Sequence, residues 1–108
     1  MHVLLTIFLL LLSSAGLRAE ELSPAQRLEA EQLLHRLGCL GCHDFNASGA
    51  NLAPSLDRIG LKLDENAIFK QLDQPPAALG SGEKFMPSYQ TTPAAQRRLL
   101  SRFLANRK

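Results

Sequence analysis

Cys39-Leu40-Gly41-Cys42-His43 is the stretch on which the reading of this chain turns. It is C-x-x-C-H, the pattern through which haem is attached covalently to a polypeptide. Two thiols spaced by two residues on a turn can each add across one of the two vinyl groups of a porphyrin. A histidine directly after the second thiol then brings its imidazole under the iron. Five residues thus offer two tethers and one axial ligand. Cys39 and Cys42 are the only cysteines in the chain, and a disulfide between them would close too small a loop to constrain the unfolded state much. Two other chemistries share these residue types. A C-x-x-C dithiol can work as a thioredoxin-type redox pair, which belongs to a βαβ context that is not visible here. His35, Cys39, Cys42 and His43 could also offer nitrogen and sulfur to zinc, although the adjacent Cys42 and His43 point apart, which makes a closed tetrahedral site awkward.

A six-coordinate electron-transfer haem needs a second ligand on its far face. Met86 is the one methionine after Met1, in Glu83-Lys84-Phe85-Met86-Pro87-Ser88-Tyr89. It sits in a Gly/Pro-punctuated loop and not on a helical stripe, with ample chain after His43 to wrap the edge of a ring. A thioether is soft and neutral, favours reduced iron and raises the potential relative to two histidines, which suits a carrier. Lone methionines also serve as core filler. His35 is the other candidate ligand, but it lies one helical turn before Cys39 on the same segment, on the wrong side of a ring, and reads as a helix-surface or core-edge histidine.

Outward from the motif the chain reads as helix, loop, helix, loop, helix. Ser23-Pro24-Ala25-Gln26 is a helix start, with Ser as N-cap, Pro at the first helical position and Gln completing a capping box. Leu28, Leu33, Leu34 and Leu37 follow at helical spacing, with Ala25 one turn earlier, until Gly38 ends or bends the helix. A second helix starts at Asp64, carries Ala67, Ile68, Phe69 and Leu72 as its apolar stripe, and stops at Gln74-Pro75-Pro76. A third opens at Thr92-Pro93 and presents Ala95, Leu99, Leu100, Phe103 and Leu104 on one face. Arg97, Arg98, Arg102, Arg107 and Lys108 line much of the rest, as a solvated face or as a docking face for an acidic redox partner. The stretches from about Asp44 to Leu63 and Pro75 to Thr91 show no periodicity, no alternating strand pattern and no Asn-Gly hairpin pair. Loops so long in so small an all-α domain need something to hold them.

The 108 residues, 11.9 kDa, allow at most one compact domain, and the net charge of +2 does not point to nucleic acid. Val3–Leu12 is apolar except for Thr6, and Ser13, Ser14, Ala15 and Gly16 follow, as in a secretory leader and its cleavage zone. The reading assigns 1–19 to a signal peptide, with an uncleaved anchor as the alternative, and 20–108 to the mature domain. Haem attachment takes place on the exported side of a membrane, so leader and motif agree. The hydrophobic fraction of 45% is inflated by this leader, and the chain has no Trp and one Tyr. A core made from peptide alone would be small.

From about Ser23 to its C-terminus the chain resembles the class I monohaem c-type cytochromes, the small bacterial electron-transfer kind. The resemblance is carried by a helix running into C-x-x-C-H, the loop Asn51-Leu52-Ala53-Pro54-Ser55-Leu56, a middle helix ending in Asp73-Gln74-Pro75, the Met86-Pro87 loop and a C-terminal helix. It implies a cytochrome c-like fold of about three main helices and two long loops around one haem c, bound covalently through Cys39 and Cys42. His43 and Met86 would be the axial ligands, and Pro54 would offer its carbonyl to the second ring nitrogen of His43; here Ala53 precedes this proline where the family commonly has Gly. Leu56 and Ile59 would pack on the ring, with Leu37, Phe69 and Leu72 also against it, and Arg58 and Tyr89 are candidates to bond a propionate. The function implied is that of an exported, periplasmic single-electron carrier that meets redox partner proteins in the membrane or periplasm. It would be no enzyme and would have no small-molecule substrate, and it would touch the membrane only if the leader is retained. The alternative is a membrane-tethered haem subunit of a larger oxidase or dehydrogenase; a sensor or peroxidase in which Met86 is displaced is a third.

Overall fold

The computed structural model describes residues 21–75 and 86–108. The leader assigned to 1–19, with its Val3–Leu12 run, and the Glu83-Lys84-Phe85 approach to Met86 lie outside the described residues. Among the described residues no helix is long and apolar enough to cross a membrane.

Three helices carry the fold. The first, α1, is Pro24–Arg36. Its start is the capping box expected from the sequence: the Gln26 amide donates to Ser23 Oγ at 3.1 Å and the Ser23 amide to Gln26 Oε1 at 2.8 Å. Leu37 caps the end, and Gly38 turns the chain away with φ 74°, a left-handed conformation that glycine reaches without a Cβ penalty. Helix α2 is Glu65–Asp73, opened by Asp64, whose Oδ1 accepts from the Ala67 amide at 2.8 Å. Helix α3 is Ala94–Ala105. It packs against both other helices.

The core lies where α3 meets α1 and α2. Ala30, Leu33 and Leu34 come from α1, Ile68 and Leu72 from α2, and Leu100, Phe103 and Leu104 from α3, joined by Cys39, Phe45 and Leu56. Ser101 is buried among them and donates to the Arg97 carbonyl at 2.7 Å, which satisfies its hydroxyl within its own helix. The apolar stripe of α1 is shorter than its sequence periodicity predicts. Ala25 and Leu28 face solvent, while Ala30, outside the expected stripe, is fully buried, because α3 covers only the later turns of this helix.

The loop after C-x-x-C-H holds an element that the sequence reading did not predict. Asp44–Phe45 and Ser48–Gly49 form a two-residue-per-strand antiparallel hairpin with Asp44 opposite Gly49 and Phe45 opposite Ser48. Its turn residues Asn46 and Ala47 have φ 47° and 61°. Positive φ at both positions is what a tight hairpin turn demands, and Asn-Gly is its usual signal. Here Asn46-Ala47 takes its place, held by Asp57 Oδ1, which accepts from the Asn46 amide at 2.8 Å. Arg107 closes the arrangement: it donates to Asn46 Oδ1 at 2.8 Å, lies 3.6 Å from Asp57 and stacks 4.7 Å over the Phe45 ring. A 3-10 turn at Ile59–Leu61 follows and is tied to the end of the chain by the Gly60 amide and the Arg107 carbonyl at 2.8 Å.

The arginines of α3 are engaged by carboxylates of α2. Arg97 pairs with Asp73 at 3.1 Å, while Arg98 and Arg102 grip the two oxygens of Glu65 at 3.2 and 3.0 Å. Arg98 also lies 3.9 Å over the Phe69 ring and Arg97 5.0 Å from it, a cation–π arrangement. Much of the basic face of α3 is thereby an α2–α3 seam.

Candidate haem-binding site

The geometry of C-x-x-C-H begins with the end of α1. After the left-handed Gly38, Cys39–Gly41 forms one 3-10 turn closed by the Cys42 amide on the Cys39 carbonyl at 3.3 Å. This turn separates the two thiols. Cys39 faces the core, 8% exposed, whereas Cys42 is exposed, and both are free thiols. The His43 amide donates to the Cys39 carbonyl at 3.0 Å, so the turn that sets the thiols also sets the histidine backbone.

The following loop folds back on the motif. The Ala50 amide donates to Leu40 O at 3.0 Å, and those of Leu52 and Ala53 both donate to Cys42 O at 2.9 Å. This brings Pro54 over His43, where His43 Nδ1 lies 2.7 Å from the Pro54 carbonyl oxygen. A carbonyl only accepts, so Nδ1 carries a proton, and in the neutral ring Nε2 is the nitrogen left with a lone pair. Among the described residues this is the one hydrogen bond of the imidazole. The neighbouring residues repeat the pairing: Ser55 donates to Asp44 Oδ2 at 2.7 Å and the Leu56 amide to Asp44 O at 2.9 Å. Ala53, which precedes Pro54, is not among the residues with positive φ.

Around Cys39 the site is apolar. Leu56 is buried, and Leu37, Leu40, Ile59, Met86 and Tyr89 are partly buried against the same cluster. Cys39, Leu56, Ile59 and Met86 therefore share one core, with His43 joined to it through the loop that contains Leu56. Burial pushes the Cys39 thiol up from its ordinary pKa, partly offset by a hydrogen bond with Tyr89. The Tyr89 hydroxyl is pushed up to about 12, first by burial and then by the negative charge Cys39 would carry beside it.

Two expectations change. Tyr89, a candidate for a propionate, instead donates its hydroxyl to the Leu37 carbonyl at 2.8 Å, across 52 positions of sequence. Phe69, expected against a macrocycle, offers a ring face to Arg97 and Arg98. Arg58 is exposed just before the 3-10 turn. His35 is exposed on α1, and among the described residues no three of His, Cys, Asp or Glu group as a metal site. A groove of about 700 Å³ runs from Gly60 to Asn66 and along the end of α3; none of the candidate site residues lines it. The Asp44–Ser55 pair and the Leu37 contact of Tyr89 were not read from the sequence. A Ser and an Asp each directly following a paired residue, Pro54 and His43, are the only hint it contains.

No family model, curated protein or solved structure matches this chain.

Proposed function

We propose that this chain is an exported single-electron carrier of the class I c-type cytochrome kind, folded around one haem c. Cys39 and Cys42 would hold the haem through thioethers, and His43 and Met86 would ligate its iron. Bound there, the haem supplies a one-electron iron couple. The observation that carries the proposal is the 2.7 Å contact between His43 Nδ1 and the Pro54 carbonyl. It fixes the tautomer, aims the ring and raises the basicity of Nε2, as hydrogen-bonding partners of metal-bound histidines do.

The other residues fit the same group. The 3-10 turn keeps Cys39 and Cys42 as two separate thiols. Leu37, Leu40, Ile59 and Met86 pack, partly buried, against the core cluster that contains Cys39 and Leu56, which offers the group apolar neighbours. Met86 is a neutral donor and adds no charge to these neighbours. The chain's part is to bind, to orient the two ligands and to supply apolar neighbours, and no residue is assigned a catalytic role. Export follows from the leader assigned to 1–19, and the partners are redox proteins of the membrane or periplasm.

The test is a reduced-minus-oxidised spectrum of protein matured in a haem-attaching host. The expected result is a c-type spectrum with a sulfur-to-iron charge-transfer band in the oxidised form that Met86→Ala abolishes. A band indifferent to Met86→Ala overturns the ligand assignment.

A further inference from the structure

The segment after Met86 is fastened to the ends of two helices. The Tyr89 amide donates to the Leu72 carbonyl at 2.8 Å, and the Ser88 hydroxyl to the Asp73 carbonyl at 2.8 Å. Both carbonyls belong to the last turn of α2, where helix acceptors lack partners within the helix. The Tyr89 hydroxyl reaches the opposite way, to the Leu37 carbonyl at 2.8 Å, at the cap of α1 and two residues before Cys39. Its ring packs against the core cluster that Met86 also packs against, with its hydroxyl end beside Cys39. One residue, three positions after Met86, therefore joins the thioether segment to the segment carrying Cys39, Cys42 and His43.

This matters because methionine is a poor anchor on its own. Its side chain has three rotatable bonds and a weakly donating sulfur. Holding it in one place is favourable only if the segment beneath is ordered beforehand. We propose that Tyr89 is the positioning residue for Met86: its hydroxyl on Leu37 and its amide on Leu72 lock the Met86 segment against the C-x-x-C-H segment, and so set how readily the thioether leaves the iron. The proposal rests on the His43/Met86 ligation proposed above. Tyr89 touches neither iron nor partner in this role; it acts through Met86.

The test uses haem-loaded protein and carbon monoxide, which binds reduced iron only when the sixth ligand has left. Tyr89→Phe keeps the ring and removes one hydrogen bond. Loss of one such bond predicts carbon monoxide binding about two- to tenfold faster than wild type, with a weaker charge-transfer band at elevated temperature. Ser23→Ala, which removes the N-cap of α1 far from the site, destabilises the fold comparably and is expected to leave both readouts at wild-type values. Ser88→Ala, should Tyr89→Phe fail to mature, is expected to move both readouts in the same direction by less. A Tyr89→Phe rate equal to wild type, in protein whose band depends on Met86, overturns the positioning role alone. Equal acceleration in Ser23→Ala overturns it as well, since general loosening would then explain the effect. A band that survives Met86→Ala overturns the ligation reading and the proposal together.

Discussion

Glycine is demanded at a position for two distinct reasons, and this chain separates them. At Gly49 both apply: φ is 96°, and a Cβ would run into the His43 carbonyl oxygen, with Leu40 Cβ and O each 3.2 Å away. Gly38 has the conformation alone, φ 74° with nothing within 4 Å. Gly60 has the collision alone, because a Cβ there would strike the Ala105 carbonyl and lie 2.8 Å from Arg107 O. Gly41 has neither. Left-handed strain costs an alanine about 1–2 kcal/mol, and the smaller entropy of the unfolded alanine chain returns about 0.4–1 kcal/mol. Gly38→Ala should thus lose about 0.5–1 kcal/mol and Gly41→Ala should be neutral or stabilised by about 0.5 kcal/mol. Forcing backbone aside adds about 1–3 kcal/mol, which is the whole effect at Gly60 and an addition to strain at Gly49. Gly49→Ala should therefore lose about 2–4 kcal/mol, the largest of the four. The assay is urea unfolding of haem-loaded protein, read as a shift of midpoint at constant slope. If Gly49→Ala is no worse than Gly38→Ala, the hairpin does not press on the His43 carbonyl and the description of how that residue is held is wrong.

Arg97, whose side chain is 12% exposed, ties α3 to Asp73, the Thr92 carbonyl and the Phe69 ring, so Arg97→Ala should cost about 2–3 kcal/mol in urea unfolding; a loss below about 0.5 kcal/mol would show the seam to be ornamental. The raised Tyr89 pKa gives a signed pH dependence. A group whose folded pKa lies above its unfolded value of 10.0 stabilises fully below that pH and loses its contribution as pH climbs toward the raised value, which burial sets once Cys39 and Cys42 are thioethers. Unfolding midpoints should fall between these pH values in wild type more than in Tyr89→Phe, and parallel curves would contradict the assignment. A Cys39→Ala/Cys42→Ala double variant should lack most native helix by circular dichroism, because the peptide core is small; full helix content would contradict that. Arg98→Glu/Arg102→Glu should destabilise the fold by breaking the Glu65 grip, and if these residues also steer an acidic partner, electron transfer should slow much more at low salt than at high salt. Equal slowing at both salts would leave only the structural role.

Short-range chemistry was legible in the sequence. Ser23, Asp64 and Gly38 act on amides or angles within three residues of themselves, and the boundaries of α1 and α2 lie within a residue or two of where the sequence signals put them, whereas α3, read as running to the C-terminus, stops at Ala105. What needed a distant partner was not legible. The left-handed pair Asn46-Ala47 depends on Asp57 and Arg107, so no local Asn-Gly pattern marks the hairpin. The stripe on α1 showed which face is apolar but not how far along it α3 reaches, and Leu28 is consequently 57% exposed. The basic run of α3 gave no sign of its partners because Glu65 and Asp73 sit on another helix. At the site, the five motif residues are contiguous and readable, whereas the Asp44–Ser55 clasp and the Tyr89 bridge exist only once the loops have closed.

The central claim is covalent haem on Cys39 and Cys42, and intact-protein mass after expression with a haem-attachment system tests it most directly. The account predicts a mass greater than that of the processed polypeptide by one haem, retained after acid denaturation and solvent extraction, and lost in the Cys39→Ala/Cys42→Ala variant. Colourless protein at the bare polypeptide mass, with both thiols free to alkylate, would contradict it.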